Sequence, residues 1–478
     1  KQPFYDSIKG GFVSNMGGRV NARKPDRTVI ENVRPQIDCG AFPVKRVVGE
    51  KVTVTADIFT DGHDSIAADL LHRRKDQRTW EERPMKPLGN DAWSAEFPVL
   101  EIGRYEYTIS CRVDRFATWA RDLLRKHEAG QDISVDLAIG VGMLREAARL
   151  AEGRTAESIE ADAERIADAR DTDKAVALAT DPGLYQRARP LCCREPVHRY
   201  TRVLEVVVER RRALFSAWYE FFPRSCSTDP DRHGTFRDAE QYLPVIAGMG
   251  FDVVYLPPIH PIGRSKRKGP NNNPISRAGD PGSPWAIGAK EGGHKSIHPD
   301  LGTMADFQRF VSRARDHDLE VALDIALQCS PDHPYVRDHP EWFLWRPDGT
   351  VQFAENPPKK YEDIIPFHFD TESWRELWEE LRDIVLFWVD KGVRIFRVDN
   401  PHTKPFAFWQ WLIGEIRGRY PDVIFLSEAF TRPKVMYRLA KGGFTQSYTY
   451  FTWRNHKWEL EQYFKELNRR PVNDFFWP

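Results

Sequence analysis

The sequence predicts an α/β protein in which a parallel (β/α) barrel follows a β-sandwich domain with a helical insertion. Two β-branched and aromatic runs, RIFRVD and VIFLSEAF, flank an amphipathic segment between residues 391 and 430. This arrangement is typical of a strand–helix–strand unit in a parallel sheet. Strand-like and helical runs alternate from Leu214 onward. The earlier part of the chain has short runs of alternating apolar and polar residues between turn residues, which favours an antiparallel sandwich.

The N-terminal β-sandwich is predicted over residues 1–117, on runs such as KVTVTADIF and GRYEYTISCRV. The composition then changes, because residues 118–195 are rich in Ala, Arg, Glu and Leu at helical spacing. This predicts a helical subdomain. A further strand-like run, TRVLEVVVER, lies within residues 196–212. We expect this strand to return to the sandwich, so that the helices form an insertion within that domain.

The barrel is predicted in two parts, residues 213–328 and 371–478. Strands are expected at SAWYEFF, FDVVYLPPI, LEVALDIAL, RIFRVD, VIFLSEAF and TQSYTYF. Helices are expected between them, including one at residues 236–249. Residues 329–370 interrupt this rhythm with Pro, Asp, His and aromatic residues. A loop of this length in a compact domain is usually functional, so we interpret it as a small subdomain over the barrel mouth.

Composition narrows the classes of partner. The 70 basic and 70 acidic side chains give a net charge of zero, which argues against nucleic acid or an anionic membrane as a partner. No apolar stretch reaches the length of a membrane-spanning helix. The six cysteines contain no CxxC pair, which fits free thiols in a reducing cytoplasm better than a disulfide framework. Without a metal-spaced Cys/His cluster or a Gly-rich phosphate loop, neither a metal nor an organic cofactor is predicted.

Two carboxylates, Asp399 and Glu428, end neighbouring predicted strands. The carboxyl ends of barrel strands carry the catalytic residues, so both side chains should face one substrate. One ionised and one protonated carboxyl group are what retaining glycosidic-bond chemistry needs. Arg397 lies two residues before Asp399 on the same strand face and would keep that carboxylate ionised. From the residues alone, the alternative that both carboxylates only cap helices is about equally open.

Short motifs in this order and spacing resemble those of the α-amylase superfamily: Asp324 in DIALQC, Arg397 and Asp399 in FRVDN, and Glu428 in LSEAF. Longer segments resemble, more narrowly, the bacterial maltosyltransferases of the GlgE family: RKGPNNNP, SPWAIG, ALQCSPDHPY, EWFLWRPDGTVQFAENPPKKYEDI and FRVDNPHTKPF. The resemblance covers essentially the whole chain. It implies a TIM-type (β/α)8 barrel and the transfer of maltosyl units from maltose 1-phosphate to the non-reducing end of α-1,4-glucans.

The resemblance also implies roles for individual residues. Asp399 would be the nucleophile that forms a β-maltosyl-enzyme ester, and Glu428 the general acid and base of a retaining mechanism. Substrate binding is implied for five residues: Lys268, Gln328, Asp363, Arg397 and Asn400. Without the family, Lys268 is only part of a basic surface loop and Asp363 a turn residue. The family further suggests a homodimer formed through the N-terminal domain.

Two departures from the superfamily pattern affect these expectations. Gln328 and Cys329 occupy the positions where ordinary amylases place an Asn–His pair, which argues against a plain amylase because a thiol is a weak donor. Six barrel strands are recognised before Pro478, so we expect the superfamily's third carboxylate, on the seventh strand, to lie outside this sequence. The chain would then be a fragment, or be completed by another polypeptide, with little activity alone. A hydrolase or branching enzyme and a non-catalytic glucan-binding module stay open as alternatives.

Overall fold

The computed structural model describes residues 26–192 and 197–478. Residues 1–25 of the predicted sandwich domain, and residues 193–196 at the end of the predicted insertion, lie outside the described residues. The N-terminal part contains strands β1 (Thr28–Arg34), β2 (Val44–Val47), β3 (Lys51–Thr60), β4 (Ser65–Arg74), β5 (Glu81–Pro84), β6 (Lys86–Gly89), β7 (Ala92–Pro98) and β8 (Gly103–Asp114). It continues with helices α1 (Arg115–Glu128), α2 (Ser134–Leu150), α3 (Gly153–Ala167), α4 (Thr172–Ala179) and α5 (Pro182–Cys192), and then with β9 (His198–Arg199), β10 (Leu204–Glu209) and α6 (Arg211–Leu214).

The N-terminal strands form two sheets around one hydrophobic core. One sheet has the order β1-β3-β7-β6, and the other has the order β2-β10-β8-β4-β5, with β9 paired to β8. Alternation explains the buried face of β3, where Val52, Val54, Ala56 and Ile58 are buried and most residues between them are more exposed. β10 pairs antiparallel with β8 and parallel with β2. The strand after the helices therefore lies in the middle of the second sheet.

Helices α1 to α5 follow β8 and precede β9 and β10 in the chain, and they have a hydrophobic core of their own. Asp114 ends β8 and caps α1, because its carboxylate accepts a hydrogen bond from the Ala117 amide at 2.8 Å. The Tyr185 hydroxyl of α5 donates to the other oxygen of Asp114 at 2.6 Å. Gly140 allows α2 to approach α1 closely, since a Cβ there would lie 1.9 Å from the indole of Trp119. These contacts hold the helices as one packed group.

The C-terminal part is built on a parallel sheet. Its elements are β11 (Trp218–Glu220), α7 (Phe236–Glu240), α8 (Leu243–Gly248), β12 (Val253–Leu256), α9 (Met304–Asp316), β13 (Glu320–Ile325), β14 (Gln328–Cys329), α10 (Pro334–Asp338), β15 (Ala354–Asn356), β16 (Lys359–Tyr361), β17 (Ile365–Pro366), α11 (Trp374–Asp390), β18 (Ile395–Asp399), α12 (Phe406–Arg419), β19 (Ile424–Glu428), α13 (Pro433–Lys441), β20 (Gln446–Ser447) and α14 (Lys457–Asn468). Six strands pair in chain order, β11-β12-β13-β18-β19-β20. Each crossover between them contains a helix, as parallel pairing requires. β18 is fully buried and central in this order.

Two local expectations need correction. The single helix expected at residues 236–249 is two short helices, α7 and α8. Pro244 lies in the first turn of α8, and because proline has no N–H it begins a helix more readily than it continues one. The segment TQSYTYF contributes only two residues to β20, and a 3₁₀ turn begins at Tyr450.

Several buried charges join the N-terminal sheets to the parallel sheet. Lys45 of β2 donates to the main-chain carbonyls of Phe444 at 2.5 Å and Thr445 at 3.1 Å. Arg46 forms an ion pair with Asp474 at 2.8 Å. Asp474, which is 3% exposed, is therefore a buried contact between the two parts. Among the helices in the described ranges, none combines the length and apolar character needed to cross a lipid bilayer.

Candidate active site

The candidate site lies at the carboxyl ends of β13, β18 and β19. Asp399, the last residue of β18, is the register partner of Glu428, the last residue of β19. Arg397 lies two residues earlier in β18 and is the register partner of Asp324 in β13. Side chains two residues apart on a strand point to the same side, so Arg397 and Asp399 share a face. Strand register alone thus collects three carboxylates and one guanidinium at one end of the sheet.

Arg397 is the centre of this cluster. Its Nη1 donates to Asp324 Oδ2 at 2.8 Å and to Asp399 Oδ1 at 2.9 Å. Its Nη2 lies 3.6 Å from Glu428 Oε1. The residue is 9% exposed, and a charge this deeply buried is stable only when it is paired. The planar guanidinium therefore sets the relative positions of the three carboxyl groups.

Burial favours a proton on two of these carboxyl groups. It raises the pKa of Asp324 to about 7, an effect that the positive charge of Arg397 opposes. The Tyr255 hydroxyl donates to Asp324 Oδ2 at 2.6 Å. Burial also raises the pKa of Glu428, against the opposing effects of Arg397 and the Asn400 amide. Glu428 therefore keeps its proton to a higher pH than an ordinary glutamate, as a general acid must.

Asn400 links the two strand-end carboxylates. Its amide N–H donates to Glu428 Oε2 at 3.1 Å, and its side-chain Nδ2 lies 3.4 Å from Asp399 Oδ2. The backbone of Asn400 is left-handed, with φ of 43°, a conformation that asparagine tolerates better than most residues. This turn directs the amide toward the neighbouring strand.

Of the other predicted substrate-binding residues, Lys268 and Asp363 form a second group on loops, whereas Gln328 lies in β14. Lys268 Nζ lies 3.9 Å from Asp363 Oδ1. Asp363 is 1% exposed, and within the described ranges neither of its oxygens has a hydrogen-bond partner. Burial raises the pKa of this carboxyl group, while Lys268 lowers it. Buried acceptor atoms without donors are rare in folded proteins, so this carboxylate is a candidate for binding a ligand.

Trp285 connects Gln328 to the cluster around Arg397. The side-chain amide of Gln328 donates to the Trp285 carbonyl at 3.4 Å. The indole of Trp285 lies close enough to Asp324 to lower the pKa of that carboxyl group. Cys329, the neighbour of Gln328, is fully buried, and burial raises the pKa of its thiol well above the usual value. A thiol in this state is a poor nucleophile.

The fold also collects His294, Cys329 and His333, whose ligand atoms lie within 4.8 Å of one another. Their spacing along the chain is not typical of a metal site. His333 accepts from the Tyr335 amide at Nδ1, its Nε2 lies 3.1 Å from His294 Nδ1, and His294 Nε2 lies 3.0 Å from the Ala326 carbonyl. With Nδ1 of His333 used as an acceptor, its Nε2 must carry the proton that it donates to His294. These bonds satisfy both rings in neutral form and leave His333 no free lone pair for a metal.

Three residues of the site were not found from sequence. Tyr255 contacts Asp324, and its position inside the predicted second strand was the only available signal. The Arg397 guanidinium lies 5.7 Å from the ring centres of both Tyr255 and Tyr448. Lys404 is buried beside Asp399, with no pattern that sequence reasoning could use. His402 is half-buried, and its Nδ1 has no partner among the described residues.

The sequence comparisons with known proteins agree on one family. The family profile for domain N/S of alpha-1,4-glucan:maltose-1-phosphate maltosyltransferase matches residues 26–210. An enzyme of that name from Chlorobaculum tepidum is 54% identical over 456 residues, which cover 95% of this chain and 68% of that protein. The one from Myxococcus xanthus is 54% identical over 463 residues, covering 94% and 69%. Among solved structures, an alpha-amylase from Lactobacillus plantarum has 25% identity and a TM-score of 0.45, covering 55% of this chain and 62% of that chain.

Proposed function

This chain belongs to the alpha-1,4-glucan:maltose-1-phosphate maltosyltransferase family, a family of transferases, and we propose that it moves maltosyl units from maltose 1-phosphate to the non-reducing end of an α-1,4-glucan. The proposed mechanism is a retaining double displacement. The observation that carries it is the register pairing of Asp399 with Glu428, both facing the guanidinium of Arg397. We also propose that the six parallel strands are part of a (β/α)8 barrel.

In the first step, Asp399 attacks the anomeric carbon of the donor, and the bond from that carbon to the phosphate oxygen breaks. Oδ1 of Asp399 is held by Arg397, whereas Oδ2 has only the long contact to Asn400, so Oδ2 is the better placed attacking atom. Glu428 gives its proton to the departing phosphate. The products are inorganic phosphate, a β-maltosyl ester on Asp399 and an ionised Glu428.

In the second step, the 4-hydroxyl of the glucan end attacks the same carbon. Glu428 accepts the hydroxyl proton, and the ester bond to Asp399 breaks. Two inversions leave the new glucosidic bond in the α configuration. Each half-reaction moves one negative charge between Asp399 and Glu428, so the pair keeps a single net charge throughout. Arg397 is within reach of both groups and stabilises either distribution.

We propose that maltose 1-phosphate binds between the cluster around Arg397 and the pair Lys268 and Asp363. Asp363 offers two buried acceptor oxygens, which suits a pair of neighbouring sugar hydroxyls. Lys268 beside it supplies a positive charge for a hydroxyl or phosphate oxygen. Gln328 and Asn400 have side-chain amides that both donate and accept. We further propose, from the family, a homodimer in the cytoplasm, which light scattering and cell fractionation would test.

The experiment is incubation of the full-length protein with maltose 1-phosphate and a maltooligosaccharide. We expect release of inorganic phosphate together with chain growth in steps of two glucose units. Asp399→Asn should abolish phosphate release and chain growth. Asp422→Asn makes the same chemical change before the N-terminal end of β19, away from Glu428, and should leave both activities intact. Phosphate release without chain growth would contradict transfer to glucan and indicate water as the acceptor. Glucan binding without turnover would favour a binding module.

A further inference from the structure

Lys404 is a buried lysine next to the proposed nucleophile. It follows the 3₁₀ turn Pro401–Thr403, which comes directly after β18. Only 8% of its surface is exposed, although lysine is rarely buried without a partner of opposite charge. Within the described ranges its ammonium group forms no ion pair, and burial lowers its pKa. Burying an ammonium group without an ion pair costs free energy, so we expect its surroundings to provide a functional reason.

The ammonium group bonds to the backbone that carries the site. Lys404 Nζ lies 3.3 Å from the Asn400 carbonyl and 3.5 Å from the Asp399 carbonyl. The Thr403 hydroxyl donates to the same Asn400 carbonyl at 2.8 Å. These hydrogen bonds stabilise the left-handed turn at Asn400. That turn is what directs the Asn400 amide to the carboxylate of Glu428.

Charged groups from each neighbouring element face this lysine. The carboxylates of Asp399 on β18, Glu428 on β19 and Asp324 on β13 all favour its charged form. His402, on the intervening turn, has its pKa lowered by burial and, to a smaller extent, by the charge of Lys404. Arg397 holds the same three carboxylates from within the cluster. Lys404 is therefore a second cation that acts on these carboxylates, and its ammonium group contacts the main-chain carbonyls of Asp399 and Asn400.

We propose that Lys404 is a positioning residue for the maltosyl transfer proposed above, on which this inference rests. Its ammonium group fixes the Asp399–Asn400 turn and supplies a positive charge to both strand-end carboxylates. During the first step the negative charge leaves Asp399 as the ester forms and appears on Glu428 as its proton departs. A cation near both groups favours either distribution without moving.

The test compares Lys404→Gln, which keeps an N–H donor but loses the charge, with Lys404→Met, which loses both. Since Lys404 lowers the pKa of Glu428, removing its charge should move the alkaline limb of the kcat/KM profile to higher pH in both variants. Loss of the donor should add a fall in kcat of about 100-fold in Lys404→Met, the effect of a small misplacement of reacting groups. A role limited to filling space would lower stability and leave the pH profile in place.

Lys441→Met is the matched control, because Lys441 is largely buried and pairs with Asp38 at 2.8 Å outside the site. Its pH profile should equal that of the wild type. An unmoved alkaline limb in folded Lys404→Gln would overturn the inference, and so would failure of both variants to fold, since the residue would then be structural. An inactive full-length wild-type protein would instead refute the proposed function, so the two failures are distinguishable.

Discussion

Replacing Arg397 by methionine tests the central contact of the candidate site. The change removes the charge-assisted hydrogen bonds to Asp324 at 2.8 Å and to Asp399 at 2.9 Å. It leaves two buried carboxylates without their cation, and a third, Glu428, without its nearby charge. Removing one partner of a buried ion pair typically costs about 3–5 kcal/mol of the free energy of unfolding. Because two carboxylates lose direct bonds, we expect a value near the upper end.

Activity should fall more than stability explains. Loss of a preorganised charged donor at a reacting group costs about 10²–10³-fold in kcat. Since Arg397 lowers the pKa values of Glu428 and Asp324, its removal raises both. The alkaline limb of the pH profile, which reports loss of the Glu428 proton, should therefore move to higher pH. The assay is phosphate release per folded molecule across pH, with the folded fraction taken from circular dichroism.

Arg417→Met provides the matched control. Arg417 makes two bonds of 2.7 Å to Glu209, a carboxylate that is 1% exposed and lies outside the site. This variant should lose similar stability but keep activity per folded molecule within about twofold, because no reacting group is involved. If Arg397→Met kept wild-type activity, or if Arg417→Met lost as much as Arg397→Met, the assigned role of Arg397 would be wrong.

Three further perturbations have distinct outcomes. Glu428→Gln should slow transfer from maltose 1-phosphate by about 10²–10⁴-fold. The same change should slow the reaction of maltosyl fluoride with azide far less, because fluoride leaves and azide attacks with little need for proton transfer. Equal losses in both assays would contradict an acid–base role for Glu428. Burial lowers the pKa of Lys45 from 10.5 to about 7, so between about pH 7 and 10 the unfolded chain binds more protons and the free energy of unfolding should rise with pH. That rise, on the order of 4 kcal/mol, should be missing in urea unfolding of Lys45→Met, and its persistence there would exclude Lys45 as the source. Gly288→Ala would place a Cβ 2.2 Å from His333 Cδ2 and should cost at least about 1–3 kcal/mol, whereas Gly279→Ala, at a similar positive φ but with no atom within 4 Å, should cost less by thermal melting.

Much of the parallel sheet could be predicted because its signals are local. RIFRVD and VIFLSEAF are short and β-branched, and both became neighbouring strands with their terminal carboxylates in register. One local error, a single helix where α7 and α8 occur, arose because apolar spacing continued across Pro244. The proline signal was present in the sequence but was outweighed by the periodicity.

The sequence by itself determined the order of strands and helices, the placement of Asp399 and Glu428 at strand ends and the shared face of Arg397 and Asp399. These follow from chain periodicity, which depends on residues only a few positions apart. The tertiary structure decided the bond from Arg397 to Asp324, 73 positions away, and the burial of Lys404. Those depend on the packing of distant segments, which sets both the distance between charges and how much water remains near them. The raised pKa of Glu428 is therefore a property of the fold.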